Sequence, residues 1–325
     1  LYRLGERLSS PTAGLLAVAI AMTMPLLYGV SRNFLVEYWL AALVSGAVYH
    51  LLRSDGLRRM DSVRRLGALL GLGLLLKSLF PLYLLAPAAD ILLRRRRELG
   101  ASFWRELERP LKTLCLIAGA IALSWYAHNL VTTVGYALRA GFGDIAAHYG
   151  STRVFSAEVL LGYWLKLING AFSPYYCAAA LAVGTALALR ERGRLGALLR
   201  DPAWRAVALW LLLPLAVATI GVNKDVRFLA ASLPAAALLL AAGLDRLTRP
   251  WPLRIVALWA FFIFPANYYV FQSFGPSLLP PLSLGPFLLL PPSSQYAGQP
   301  FTGARWRQQW LVDEINKEAG GRPAT

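Results

Sequence analysis

The chain has 325 residues, 57% of them hydrophobic and 15% charged, with a mean hydropathy of +0.50. A water-soluble domain of this size rarely joins so much apolar surface to so little charge, so the composition points to a membrane protein. The net charge of +16 does not signal a nucleic-acid partner, because the arginines fall in short clusters between apolar runs, as in cytoplasmic loops.

The first apolar run, Ala13–Val30, follows Arg3 and Arg7 but lacks a small-residue cleavage site before the next run, so it is taken as a membrane span rather than a signal peptide. The next runs are Val36–Leu52 and Leu66–Leu93. The latter has arginine clusters on both sides and Lys77, Ser78 and Pro81 near its middle, so two helices meeting at a polar apex are expected in place of one span. Leu111–Val134 follows, then a connection carrying Asp144, His148, Arg153 and Glu158, and then Val159–Ile168, whose apolar spacing predicts an interfacial helix. The remaining runs are Ala171–Leu189, Trp204–Gly221, Phe228–Leu244 and Leu253–Phe274, for about nine membrane segments in an all-α, polytopic fold. Residues 1–275 are expected to form the membrane domain. The prolines from Pro276 to Pro292 and the polar stretch after them are expected to lead into an extracytoplasmic domain, the whole being part of a longer protein.

Alternate connections differ in Lys and Arg: 22 of the 33 lie in the connections around Arg3, Arg53–Arg65, Arg94–Lys112, Arg190–Arg205 and Arg246–Arg254. By the positive-inside rule that side is cytoplasmic, which puts Arg58 and Arg94 inside and Asp144 and Trp306 outside. Cys115 and Cys177 lack metal-ligand or redox spacing and are expected to serve packing.

No phosphate-binding loop and no zinc motif is present, and His50, His128 and His148 are scattered. The ionisable groups expected at the outer ends of the helices are therefore the site candidates, since charge at membrane depth is costly unless it lines a polar cavity. Glu37 serves either to ligate a metal or orient an acceptor, or as a helix-start carboxylate paired with Arg32. Lys77 binds a phosphate or snorkels to the interface. Lys224 and Arg227, three apart, hold a phosphate or form a charged loop with Asp225. Arg32 and His148 are further candidates, and Tyr175, Tyr176, Tyr268 and Tyr269 fit an interfacial belt better than a sugar platform.

Three stretches together resemble the polytopic glycosyltransferases of the C-type fold, in particular the protein-mannosyltransferase-like and aminoarabinose-transferase-like members. They are Ser31–Leu40 with Glu37, Leu69–Lys77, and Asn223–Pro234 with its Lys-x-x-Arg-Phe and later Pro; Tyr296–Trp310 resembles the entry to those proteins' outer domain. The resemblance implies an enzyme of the bacterial inner membrane that moves a sugar from a polyprenyl-phosphate donor to a lipid, glycan or protein acceptor at the outer face. It places Lys77, Lys224 and Arg227 on the lipid phosphate, Glu37 on the acceptor or a divalent metal, and the main catalytic base in sequence before Leu1. It implies membrane lipids as partners and no nucleic acid. The rival reading is a transporter or lipid flippase, whose sign would be broken helices in repeated halves.

Overall fold

The computed structural model describes residues 1–32, 35–151, 153–190, 195–274, 279–280 and 282–290. They form α1 (Tyr2–Leu8), α2 (Pro11–Thr23), α3 (Pro25–Arg32), α4 (Val36–Arg53), α5 (Met60–Leu76), α6 (Phe80–Leu99) and α7 (Phe103–Phe142). Then come α8 (Asp144–His148), α9 (Ala157–Lys166), α10 (Pro174–Arg190), α11 (Leu195–Arg200), α12 (Pro202–Ile220), α13 (Leu233–Thr248) and α14 (Arg254–Phe274). A π-helical segment, Leu167–Phe172, joins α9 to α10, and a 3-10 helix, Val226–Ser232, leads into α13. A small antiparallel hairpin, β1 (Leu282–Leu284) and β2 (Phe287–Leu290), follows α14. Its turn places Gly285 at φ 56°, a left-handed conformation that glycine adopts without a Cβ penalty. The all-α polytopic class holds, with this hairpin as the one sheet among the described residues.

The centre of the bundle is α13, where 83% of the most apolar window is buried. Ala235, Ala237, Ala241 and Ala242 are fully buried, and such small side chains let neighbouring helices approach closely without a hydrophobic drive between them in lipid. The opposite case is α7, with 11% of its window buried and Leu116, Leu123, Val131 and Leu138 turned outward, as a lipid-facing helix requires. Its 40 residues span about 60 Å, twice the roughly 30 Å apolar core of a bilayer, so its charged first turns reach well beyond that core.

Three helical runs among the described residues are long and apolar enough to cross a membrane, Phe80–His148, Pro202–Ile220 and Val226–Thr248. Two bent pairs raise this to five: α2 with α3, at 65°, and Ala157–Phe172 with α10, at 92°. The expected span Ala13–Val30 is thus two helices, because Pro25 opens a new helix after Met24 has left helical geometry at ψ 128°. The expected break in Leu66–Leu93 falls at Lys77–Leu79, between α5 and α6. Gly73 makes that apex tight: a Cβ there would overlap the Phe80 ring, which folds back onto α5. Ser156 caps α9 by accepting from the Val159 amide, so the helix expected over Val159–Ile168 begins two residues earlier. Both cysteines are free thiols, Cys115 exposed on α7 and Cys177 half-buried.

The cation-rich connections gather at one end. Arg53 pairs with Asp61 at 3.4 Å, Arg94 and Arg205 share Asp90 at 3.0 and 2.9 Å, and the Trp204 indole donates to the Leu8 carbonyl at 3.1 Å. Asp245 near the end of α13 accepts from Ser9 and Ser10 and pairs with Arg249 and Arg254, tying α2 and α14 to the same end. Arg58 belongs to this end, through Glu98. Asp144 lies beyond the far end of α7, where Arg139 holds it. Trp306 and the stretch Tyr296–Trp310 fall outside the described residues.

Candidate active site

At the end opposite the arginine clusters, α4 begins and α5 stops. Glu37 sits in the first turn of α4, where the helix dipole favours negative charge, and Lys77 caps the last turn of α5, where it favours positive charge. The two helices therefore present complementary charges side by side, and the Lys77 ammonium donates to Glu37 Oε1 at 2.9 Å. Glu37 is 4% exposed, and its second oxygen, Oε2, is buried with no hydrogen-bond partner among the described residues. A buried acceptor left in that state is costly, so it marks a carboxylate poised for a donor from outside the described residues.

The third component is the stretch after α12. Lys77 Nζ lies 5.0 Å from the centre of the Phe228 ring, a cation–π contact, and the Tyr83 hydroxyl donates to the Phe228 carbonyl at 2.7 Å. Tyr83 and Phe228 thus tie the α5–α6 apex to the 3-10 helix. Beside Phe228, Arg227 is held by Asp225: its backbone amide and its Nε donate to the two carboxylate oxygens at 2.9 and 2.7 Å, and Nη2 lies 2.5 Å from Oδ2. The same carboxylate shapes the loop and aims the guanidinium, so the two alternatives read from the sequence for Arg227 are not exclusive.

Lys224 is placed differently. Its ammonium donates to the Thr219 carbonyl and, at 3.4 Å, to that of Ala218, capping the orphan carbonyls at the end of α12, and it lies 5.0 Å from the Tyr163 ring. Burial holds its pKa below the ordinary lysine value. The Lys224 amide also bonds the Tyr149 carbonyl at 3.3 Å, and Gly150 pairs with Asn223, so the loop after α8 lies beside this stretch. His148 itself is exposed and set edge-on to Tyr149. Arg32 donates to the Tyr28 hydroxyl at 2.7 Å, beside a cluster of Tyr28, Tyr268 and Tyr269.

The structure therefore joins Glu37 to Lys77 and sets Lys77 over the ring of Phe228, the residue after Arg227, with Lys224 at the end of α12, Arg32 on Tyr28 and His148 on Tyr149. Reasoning from the sequence alone does not single out Tyr83 or Tyr163. Tyr83 had a signal in its position, six residues past Lys77 on the helix that leaves the apex. No three His, Cys, Asp or Glu side chains gather among the described residues, and the neighbour of Glu37 is an ammonium. The hard cations Mg²⁺ and Ca²⁺ take about six or more oxygen ligands, so a cation at Glu37 would draw most of its ligands from outside the described residues.

Residues 1–125 match the family model described as dolichyl-phosphate-mannose-protein mannosyltransferase. That match supports a membrane glycosyltransferase of the C-type fold. It covers Glu37 and Lys77 and stops before Lys224 and Arg227. No curated protein matches, and no solved structure does.

Proposed function

We propose that this membrane glycosyltransferase moves a sugar from a polyprenyl-phosphate donor to a lipid, glycan or protein hydroxyl, at the outer face of the membrane. The observation that carries the reading is the meeting of Lys77, inside the family-matched part, with the Arg227–Phe228 stretch at the end opposite the arginine clusters. The positive-inside rule supports placing that end outside.

In such a transfer the acceptor oxygen forms a bond to the anomeric carbon while the bond from that carbon to the phosphate oxygen breaks. The electron pair leaves with the lipid phosphate, and the acceptor proton goes to a base. The transition state resembles an oxocarbenium ion, and negative charge grows on the departing phosphate. Arg227, oriented by Asp225, supplies forked donors suited to two phosphate oxygens, and Lys77 adds a point charge from the neighbouring helix. Glu37, next to Lys77, holds the acceptor hydroxyl. Lys224 acts on the same site at one remove, by fixing the end of α12 from which the Asp225–Arg227 turn departs.

The test uses full-length protein reconstituted with a labelled polyprenyl-phosphate sugar. Transfer of label is expected in the parent protein. A charge-assisted bond contributes about 1.5–3 kcal/mol, so Arg227→Ala should lower donor use by about ten- to a hundredfold, with Arg227→Lys intermediate. Asp225→Ala should lower both donor use and folded yield, since it removes the turn as well as the guanidinium's support. If both Arg227 variants keep the parent's donor affinity and turnover, the phosphate role of Arg227 is wrong. The transporter reading gains one point from the two bent helix pairs, and it predicts movement of the lipid across vesicles with no label transferred.

A further inference from the structure

At the cation-rich end, far from the Glu37–Lys77 pair, a second cavity of about 140 Å³ opens between α1, the turn after α4, the last turns of α6 and the start of α12. One water needs only about 10–15 Å³ of such space, so a group much larger than water fits. Four guanidinium groups line the cavity, Arg7, Arg58, Arg94 and Arg95, against two carboxylates, Asp55 and Glu98.

These charges are poorly satisfied by one another. Arg58 lies 3.5 Å from Asp55 and 3.4 Å from Glu98, and Arg95 lies 3.5 Å from the same Glu98. Charge-assisted bonds close to about 2.7–2.9 Å when nothing prevents it. Arg95 is only 7% exposed, yet its Nε donates to nothing among the described residues, and neither does the buried Nε of Arg94. Burying a guanidinium donor without an acceptor costs several kcal/mol in principle, so the side chain must be held there by its surroundings. The turn does this: Gly56, at φ 65°, lies so close that a Cβ would stand 3.1 Å from Arg95 Cδ. The C-terminal dipole of α6 adds a favourable field for both arginines.

We propose that this cavity binds a phosphate group, with the unsatisfied guanidinium donors meeting its oxygens. The chemistry fits the headgroup phosphate of an anionic phospholipid or free inorganic phosphate equally. Basic pockets between membrane helices on the cytoplasmic side are suited to such headgroups. The site is separate from the proposed transfer site and makes no bond to the sugar donor.

The experiment measures thermal unfolding of the delipidated full-length chain in detergent against added phosphatidylglycerol, phosphatidylcholine and inorganic phosphate at constant ionic strength. A ligand that binds only the folded state raises the midpoint in a saturable way. Saturable stabilisation by phosphatidylglycerol and not phosphatidylcholine supports the lipid source; stabilisation by inorganic phosphate alone supports the soluble source. In either case Arg58→Gln and Arg7→Gln, both at exposed positions, should each weaken apparent affinity by about tenfold. Arg97→Gln, on the same helix end but outside the cavity, should leave it unchanged. Arg95→Gln should abolish binding; where it fails to fold, the Arg7 and Arg58 variants decide alone. The proposal is overturned if neither phosphatidylglycerol nor phosphate stabilises the parent saturably. It is equally overturned if the double variant of Arg7 and Arg58 binds as the parent does, or if Arg97→Gln weakens binding as much as Arg58→Gln.

Discussion

Asp245 and Glu37 are both buried carboxylates, one at each end of the bundle, and their surroundings differ. Asp245 is fully buried and has Ser9, Ser10, Arg249 and Arg254 around its two oxygens. Glu37 has one oxygen on Lys77 and the other with no partner among the described residues. A fully satisfied buried charge rigidifies a junction, whereas a half-satisfied one raises the energy of the resting protein and is relieved when a donor arrives. The difference separates an end built to hold three helices together from an end built to receive something.

The sharpest way to break this comparison is at Asp245. Asp245→Asn removes the charge that two guanidiniums and two hydroxyls converge on; Arg249 and Arg254 keep access to water, so the cost is that of losing charge-assisted bonds, about 1.5–3 kcal/mol. A large loss of folded yield and a lowered unfolding midpoint in detergent are expected, with normal transfer per folded molecule. A midpoint within error of the parent's would show that the junction is carried by packing alone.

Glu37→Gln should do the reverse. Glu37 makes one charge-assisted bond where Asp245 makes four, and the Gln amide oxygen can still accept from Lys77, so folded yield should change little. Transfer should fall by about 10–100-fold, since loss of acceptor positioning by as little as an ångström has effects of that size. Lys77→Met strands the buried Glu37 carboxylate and should lower folded yield; adding Glu37→Gln should restore the yield and not transfer, since each side chain has its own place in the proposed site. A double variant that transferred like the parent would reduce the two residues to an ion pair.

The two ends also differ in how well the sequence foretold them. The arginine clusters specify their end by number, because each connection carries several cations and no tertiary detail is needed to sort them. The α5–α6 break was equally legible, since Lys77, Ser78 and Pro81 cannot sit comfortably inside one apolar helix. Partner choice was not. Glu37 has Arg32 five residues away and Lys77 forty away, and only the antiparallel packing of α4 on α5 brings Lys77 to 2.9 Å. Arg32 instead reaches Tyr28, one helical turn back on α3. The bend at Pro25 was missed because a proline serves as well to start a helix as to kink one, and the run is apolar on both sides of it. The length of α7 was missed because its charged first turns keep good helix formers, Glu106, Leu107, Glu108 and Leu111, around Pro110.

The smallest expected effect tests the link between the apex and the 3-10 helix, on which the contact of Lys77 with Phe228 depends. Tyr83 is fully buried, and its hydroxyl bonds the Phe228 carbonyl at 2.7 Å. Tyr83→Phe keeps the ring and its packing while removing one hydrogen bond, so stability should fall by about 1 kcal/mol, with up to about 3 if the stranded carbonyl finds no other donor. The same loss lets Phe228 drift from Lys77, and Arg227 moves with it through the backbone. Donor use should therefore drop a few-fold, well short of the effect of Arg227→Ala, while acceptor use stays at the parent's level because Glu37 is anchored on α4. Paired measurements of KM for donor and acceptor in the Tyr83→Phe protein distinguish this from a general loosening of the bundle, which would raise both. Equal changes in the two constants would mean that Tyr83 supports the fold and not the alignment of the donor-binding stretch.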